Sequence, residues 1–276
     1  MREWIQLLEQ TVSGPKGPVR TFVREDCRQP IVLDTLADPD QRVPSPMKQS
    51  HVEKLEARRA VYSFLGDWEG QEERLYLKLY RLRGLKDVLE ELLYGKRALR
   101  SLKMGLEAEQ RGIKVPIHLG AGFRKRPARW PSESVLLMRA VPHNRDVRTV
   151  LKHELMEPSA KAQRRRFLEE TGRFLGETHR LGLIHGDLKI RNLFVIQIDP
   201  PELALIDFDR ARFVEADSSQ GLFRQALDLR VALRSLGDRV SSNERRRILG
   251  AYLRARKLDR GGRARLLRWL KLVRGV

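Results

Sequence analysis

The stretch 183–212, LIHGDLKIRNLFVIQIDPPELALIDFDRAR, constrains the fold more than any other part of the chain. Two apolar runs within it, Leu193–Ile198 and Leu203–Ile206, are strand-sized, and Asp199-Pro200-Pro201 between them cannot be helical, so the pair reads as a hairpin. Immediately upstream, Gln163–Leu181 sets Phe167, Thr171, Phe174, Leu175 and Thr178 along one stripe, the pattern of an amphipathic helix stopped at Gly182. Helix, polar loop and hairpin therefore succeed one another. The loop carries His185-Gly186-Asp187 and, five residues later, Asn192, and the hairpin runs out into Ile206-Asp207-Phe208-Asp209.

This order of residues suits one chemistry. Phosphoryl transfer asks little covalent work of a protein. It needs a carboxylate to orient an attacking hydroxyl and accept its proton, and oxygen ligands to hold Mg²⁺ on a triphosphate. Asp187 answers the first need and the Asn192/Asp207 pair the second, since Mg²⁺ prefers carboxylate and amide oxygens to softer ligands. The five-residue step leaves Asp187 on the loop and Asn192 at the start of the next strand, and the hairpin turn returns Asp207 beside Asn192. A bland reading makes Asp187 a cap, Asn192 a turn residue and Asp207 a strand-end polar group. The combination of helix, loop, hairpin and motif spacing weighs against it.

The remaining chain reads as α+β. Residues 1–47 are punctuated by Gly14-Pro15, Gly17-Pro18, Pro39 and Pro44-Ser45-Pro46, and suggest a short helix followed by irregular structure or short strands. Ala60–Leu65 and Leu75–Leu79 form a hairpin about the turn-prone Gly66–Gly70. One or two helices fill 86–111, interrupted at Gly95 and ended by Val115-Pro116, and two strands lie within 117–139 around a basic loop at Arg124–Arg129. Beyond Asp207 the chain is helical, with apolar pairs at Leu222/Phe223 and Ala226/Leu227, at Ile248/Leu249 and Tyr252/Leu253, and at Leu266/Leu267.

Composition narrows the class. With 41% hydrophobic residues over 276 positions the chain buries a sizeable core, and no apolar run approaches the ~18 residues of a membrane span. The N-terminal MREWIQLLEQ lacks the apolar centre of a secretory signal, and Cys27, the single cysteine, excludes an intrachain disulfide, so a cytoplasmic location is expected. The 55 Lys+Arg outnumber the 36 Asp+Glu by 19, and residues 241–276 alone hold 12 basic against 2 acidic side chains. Such a surface fits an anionic membrane face, an acidic substrate or nucleic acid. Nucleic acid is disfavoured, because Tyr252 and Trp269 form no stacking pattern.

These motifs resemble those of the protein-kinase-like superfamily, and most of all the Kdo/WaaP lipopolysaccharide kinase family, in which a His-x-Asp-Leu loop is followed by Ile-Asp-Phe-Asp-Arg. Here the two elements are His185–Leu188 and Ile206–Arg210, and the similarity extends loosely from about 44 to 255, taking in Lys78, Gly112–Pro116 and Glu133–Leu137. The resemblance implies a small β-rich N-lobe over 44–140, a mainly helical C-lobe with a basic tail over 141–276, nucleotide between them, and residues 1–43 as an extension of unclear structure. It implies ATP and Mg²⁺ as cofactors and a sugar hydroxyl of a lipopolysaccharide core or related anionic glycolipid as acceptor. It also implies a catalytic set of Asp187, Lys189 and His185, and a cofactor-binding set of Lys78, Asn192 and Asp207, the last two holding the metal. In that scheme Lys78 binds the α/β-phosphates, Lys189 neutralises the transferred group and His185 is a scaffold residue hydrogen-bonded near Asp207.

The pattern is also departed from. Lys48–Ala57 contains no glycine, which leaves phosphate cover to backbone amides or Ser50, and the acid partner of Lys78 is open among Glu90, Glu91, Glu107 and Glu109, with Ser101 at the aligned position. His51, His118, His143, His153 and His179 lack metal-ligand spacing. No Ala-Pro-Glu follows Asp207, which makes a protein substrate less favoured. The alternatives that stay open are an atypical Ser/Thr protein kinase, a small-molecule kinase and a non-catalytic kinase-fold module. Oligomeric state is open as well.

Overall fold

Alternation of apolar side chains organises the first half of the chain into a sheet covered on both faces. The structure, a computed structural model, describes residues 5–15, 17–39, 51–55, 59–82, 89, 91, 96–125, 131–142 and 145–272. It comprises two compact units, one of Met1–Gln110 with Pro116–Ala140, the other of Arg111–Val115 with Val141–Val276.

In the first unit the strands are β1 (Leu7–Gly14), β2 (Gly17–Arg24), β3 (His51–Leu55), β4 (Arg59–Trp68), β5 (Gln71–Arg81), β6 (His118–Lys125) and β7 (Pro131–Arg139). They pair antiparallel in the order β1-β2-β6-β7-β5-β4-β3. Along β5, Leu75, Leu77 and Leu79 join Val23, Leu36 and Leu137 in one core beside α1 (Pro30–Ala37). Tyr80, of opposite parity, joins Leu136 and Phe123 in a second core under α2 (Arg97–Gln110). Lys78 has the parity of Tyr80 and so stands on the α2 face. The β4–β5 hairpin closes with Trp68 opposite Gln71, leaving Glu69-Gly70 as a two-residue turn with both φ positive, at 54° and 80°.

The N-terminal region corrects the sequence reading. The helix expected first is strand β1, paired along its length with β2, and the short helix comes later, as α1. Apolar residues on β2 decide this, because Val19, Thr21 and Val23 are buried against β6 and the rest of the sheet, and β1 completes the edge they begin. The Gly95 interruption, Glu90, Ser50, His143 and most of the basic loop at 124–129 fall outside the described residues.

The second unit holds α3 (Val147–His153), α4 (Lys161–Arg180), β8 (Leu183–Ile184), β9 (Leu193–Ile198), β10 (Pro201–Leu205), β11 (Arg212–Phe213), α5 (Ser219–Ser235), α6 (Ser242–Arg256) and α7 (Arg260–Leu272). The stripe on α4 is buried as its periodicity requires. Two glycines on that helix let it approach α6 closely. A Cβ added at Gly172 would lie 2.2 Å from the Ile248 carbonyl oxygen, and one at Gly176 would lie 2.5 Å from that of Tyr252. Helix α6 begins with a capping box, in which Ser241 and Glu244 satisfy each other's backbone N–H. The short segment Arg111–Val115 is bound into this unit. The Leu205 N–H donates to the Lys114 carbonyl at 2.9 Å, Arg111 Nη1 donates to the Leu181 carbonyl at 2.9 Å, and the Arg111 guanidinium lies 3.9 Å from the centre of the Phe213 ring.

Candidate active site

The polar loop begins where α4 has ended and β8 pairs with β11, with Ile184 opposite Arg212. Two backbone N–H groups at its start are held by one buried carboxylate. His185 N–H donates to Asp228 Oδ2 at 2.6 Å and Gly186 N–H to Asp228 Oδ1 at 3.0 Å, and Asp228, on α5, is 3% exposed. Gly186 takes φ +79°, and a side chain there would meet the Arg210 carbonyl at 2.7 Å. Downstream, Ile190 N–H donates to Ser235 Oγ at 2.9 Å, which ties the far end of the loop to the end of the same helix.

Within this frame the predicted residues meet. The His185 ring is buried, with Nε2 2.8 Å from the Ile206 carbonyl and Nδ1 3.3 Å from the Asp187 amide. The two contacts together assign the proton to Nε2, since Asp187 N–H can only donate. The imidazole thus bridges the loop to the residue just before Asp207, and stacks at a tilt on Phe208, 6.0 Å between centres. Asn192 Nδ2 donates to the Asp187 carbonyl at 2.8 Å, and the Asn192 carbonyl in turn accepts from Ile206 N–H at 3.0 Å. With Leu193 paired to Leu205, the hairpin sets Asn192 and Asp207 at the same open end. Asp207 sits at φ 69°, ψ 69°, a left-handed conformation that non-glycine residues adopt at a cost, and the chain then turns into a 3₁₀ segment, Phe208–Arg210.

Lys189 Nζ lies 2.8 Å from Asp187 Oδ1 and 3.1 Å from Oδ2. Partial burial pushes the Asp187 carboxyl up, but the Lys189 ammonium outweighs it, with help from the Arg210 guanidinium, and the group is held below the usual carboxylate range. Asp187 is therefore ionised at neutral pH while keeping an exposed edge.

Lys78 belongs to the other unit. It is 7% exposed on β5, between Val61 and Leu136, with its ammonium 5.2 Å from the Tyr80 ring centre. Among the acids weighed as its partner, Glu109 is committed to Arg24 at 2.7 Å, and Ser101 is buried on α2. His118 is buried beside α2 and is a structural residue. Burial, together with the Arg24 and Lys78 charges, moves it down to about 4 against the pull of the Pro116 carbonyl. His179 is likewise buried, 2.8 Å from the Tyr252 hydroxyl.

Two residues escaped the sequence reading, Asp228 and Ser235. Asp228 had a visible signal, an acid standing among Leu222, Ala226 and Leu229 on the buried face of α5. Ser235 had none.

Comparison with known proteins agrees with this geometry. Residues 46–249 match the profile described as the lipopolysaccharide kinase (Kdo/WaaP) family. Among solved structures, WaaP in complex with acyl carrier protein superposes with a TM-score of 0.59 at 19% identity, covering 96% of this chain and 97% of that one, which establishes a shared fold. No curated protein matches the chain by sequence. The profile spans about three quarters of the chain, including the loop that Asp228 pins and the hairpin that returns Asp207, and the chain belongs to the lipopolysaccharide kinase (Kdo/WaaP) family.

Proposed function

We propose that the chain transfers the γ-phosphoryl group of ATP to a sugar hydroxyl of a lipopolysaccharide core or a related anionic glycolipid. The observation that carries this reading is the Asp187 carboxylate, held ionised by Lys189 on a loop fixed at both ends by α5. Asp187 orients the acceptor hydroxyl and takes its proton late in the transfer, as a carboxylate of lowered basicity does. Lys189 supplies positive charge where the transferred group passes, and His185 keeps Asp187 and the Ile206–Asp207 turn in register. Lys78 is assigned to the nucleotide phosphates by its family position.

The donor set at the end of the hairpin suits Mg²⁺. The Asn192 amide nitrogen is spent on the Asp187 carbonyl, which leaves the amide oxygen as its free valence, and Asp207 adds a carboxylate. One or two protein oxygens, with phosphate and water completing the shell, are what this ion takes. Bound there, it neutralises charge on the nucleotide phosphates. Transfer of a phosphoryl group from ATP to a membrane-borne acceptor would be carried out at the inner face of a membrane, and the surplus of 19 positive charges supports that location.

The test is transfer of label from γ-labelled ATP into a cell extract separated into glycolipid and protein fractions. Label confined to glycolipid and abolished by Asp187→Ala is expected, with nucleotide binding retained in that variant and weakened in Asp207→Ala. Label confined to protein would replace this reading with the protein-kinase one, and label independent of Asp187 would remove the site assignment.

A further inference from the structure

The second unit carries another built feature apart from the polar loop. Helices α5, α6 and α7 enclose a cleft of about 680 Å³, into which Arg230 and Arg234 project from α5 and Arg245 and Arg246 from α6, over a floor that includes Leu233 and Leu270. Among the described residues no carboxylate lines it and none pairs with Arg234, Arg245 or Arg246. The nearest acid in sequence, Glu244, is committed to Arg164 at 2.6 Å and to Ser241. Arg245 is fixed in place, donating to the Leu233 carbonyl at 2.5 Å, the Val240 carbonyl at 3.3 Å and the Gly237 carbonyl. These bonds order the Arg245 side chain and engage all three of its guanidinium nitrogens, so the charges left to the cleft are those of Arg234 and Arg246.

Apolar side chains continue the same surface outward. Phe223, Leu227, Arg230 and Arg234 follow at spacings of four, three and four on α5, one face of the helix. Phe223 and Leu227 are 37% and 38% exposed, and Leu272 at the end of α7 is 60% exposed. Trp269 packs edge-on against Phe223, 5.1 Å between ring centres. A cleft for a soluble anion has no use for exposed leucine and phenylalanine beside it, whereas guanidinium groups flanked by apolar and aromatic side chains match the headgroup layer of a bilayer.

We propose that this cleft docks the chain on an anionic membrane, with Arg234 and Arg246 at a phospholipid phosphate and Phe223, Leu227 and Leu272 entering the interfacial layer. The choice of a bilayer rests in part on the glycolipid-kinase reading, which needs an acceptor at a membrane. The test is co-sedimentation of the full chain with vesicles of phosphatidylcholine alone or with about a third phosphatidylglycerol. Binding is expected only with phosphatidylglycerol. Arg234→Ala with Arg246→Ala should weaken it on the order of 25-fold, roughly fivefold for each charge. Arg263→Ala with Arg265→Ala, which removes the same charge from exposed positions of α7 outside the cleft, should change it about twofold or less.

Equal losses in the two double variants would mean a diffuse basic surface and overturn the cleft. So would displacement from vesicles by millimolar inorganic phosphate, which would make it a site for free anions. Equally tight binding to polyglutamate with the same arginine dependence would transfer it to an acidic protein partner. The measurement uses neither ATP nor acceptor, so a failed kinase assay leaves it standing. Absence of phosphatidylglycerol-dependent binding by the unmutated chain, with intact transfer to a detergent-dispersed acceptor, fails this proposal alone.

Discussion

Replacing Asp228 by Asn tests the claim that one buried carboxylate holds the loop proposed to be catalytic. Its two oxygens each accept one backbone N–H, from His185 at 2.6 Å and Gly186 at 3.0 Å, and the side chain is 3% exposed, so no water substitutes for either bond. A hydrogen bond to a charged group contributes about 1.5–3 kcal/mol. Asparagine keeps one acceptor oxygen and turns an N–H₂ toward the other backbone donor, so one bond is lost and a buried donor faces a donor. The expected cost is about 2–4 kcal/mol, which for a chain of this size lowers the melting temperature by roughly 5–15 °C. The loop residues move with their amides, and a displacement near 1 Å at Asp187 should reduce kcat on the order of a hundredfold. Calorimetry and steady-state kinetics on the same preparation check both. Unchanged melting with unchanged kcat would refute the reasoning, and lowered melting with full kcat in the folded fraction would show that Asp228 stabilises α5 without positioning the loop.

Lys189→Met removes the charge that, against burial, holds Asp187 below the usual carboxylate range, so the acid limb of the pH–rate profile should move to higher pH as kcat falls. The sign for stability follows. A carboxyl with a lowered folded-state pKa stabilises at neutral pH and loses that contribution as pH falls through the folded value, but with Lys189 39% and Asp187 31% exposed the change should stay within about 1 kcal/mol. Gly176→Ala drives a methyl against the Tyr252 carbonyl and should cost about 1–3 kcal/mol in urea unfolding, whereas Gly250→Ala on α6, whose new methyl comes no nearer than 3.5 Å to a neighbour, should be neutral or stabilising. Equal effects at the two glycines would refute the close approach of α4 and α6.

What could be read beforehand depended on how local its cause was. Asp199-Pro200-Pro201 fixes a hairpin by its own chemistry, and Asp187 and Asn192 belong to one loop, so their partnership survives translation from sequence to structure. β1 was misread because Leu7, Leu8 and Val12 show no clean alternation. Its conformation comes from β2, whose own place comes from β6, and that chain of dependence has no trace in residues 7–14. Asp228 pairs with amides 42 and 43 residues away, a partnership created only when α5 crosses beneath the loop. The partner of Lys78 was open for a related reason. Glu109, one of the four candidates, is held by Arg24 from β2, a pairing between positions 85 residues apart that only the folded sheet creates.

The segment Arg111–Val115 bears on how the polypeptide can be cut. It lies in sequence between two stretches of the first unit, yet its hydrogen bonds are made in the second, so the chain passes between units three times, after Gln110, Val115 and Ala140. A fragment starting at Val141 contains every residue of the His185–Asn192 loop and still leaves the Leu205 N–H without the Lys114 carbonyl, two residues before Asp207. Protein engineers seeking an autonomous helical portion would therefore have to supply the five-residue segment as well, by circular permutation or as an added peptide. Nicking the chain at 140 alone would leave the two units joined through the other two passages.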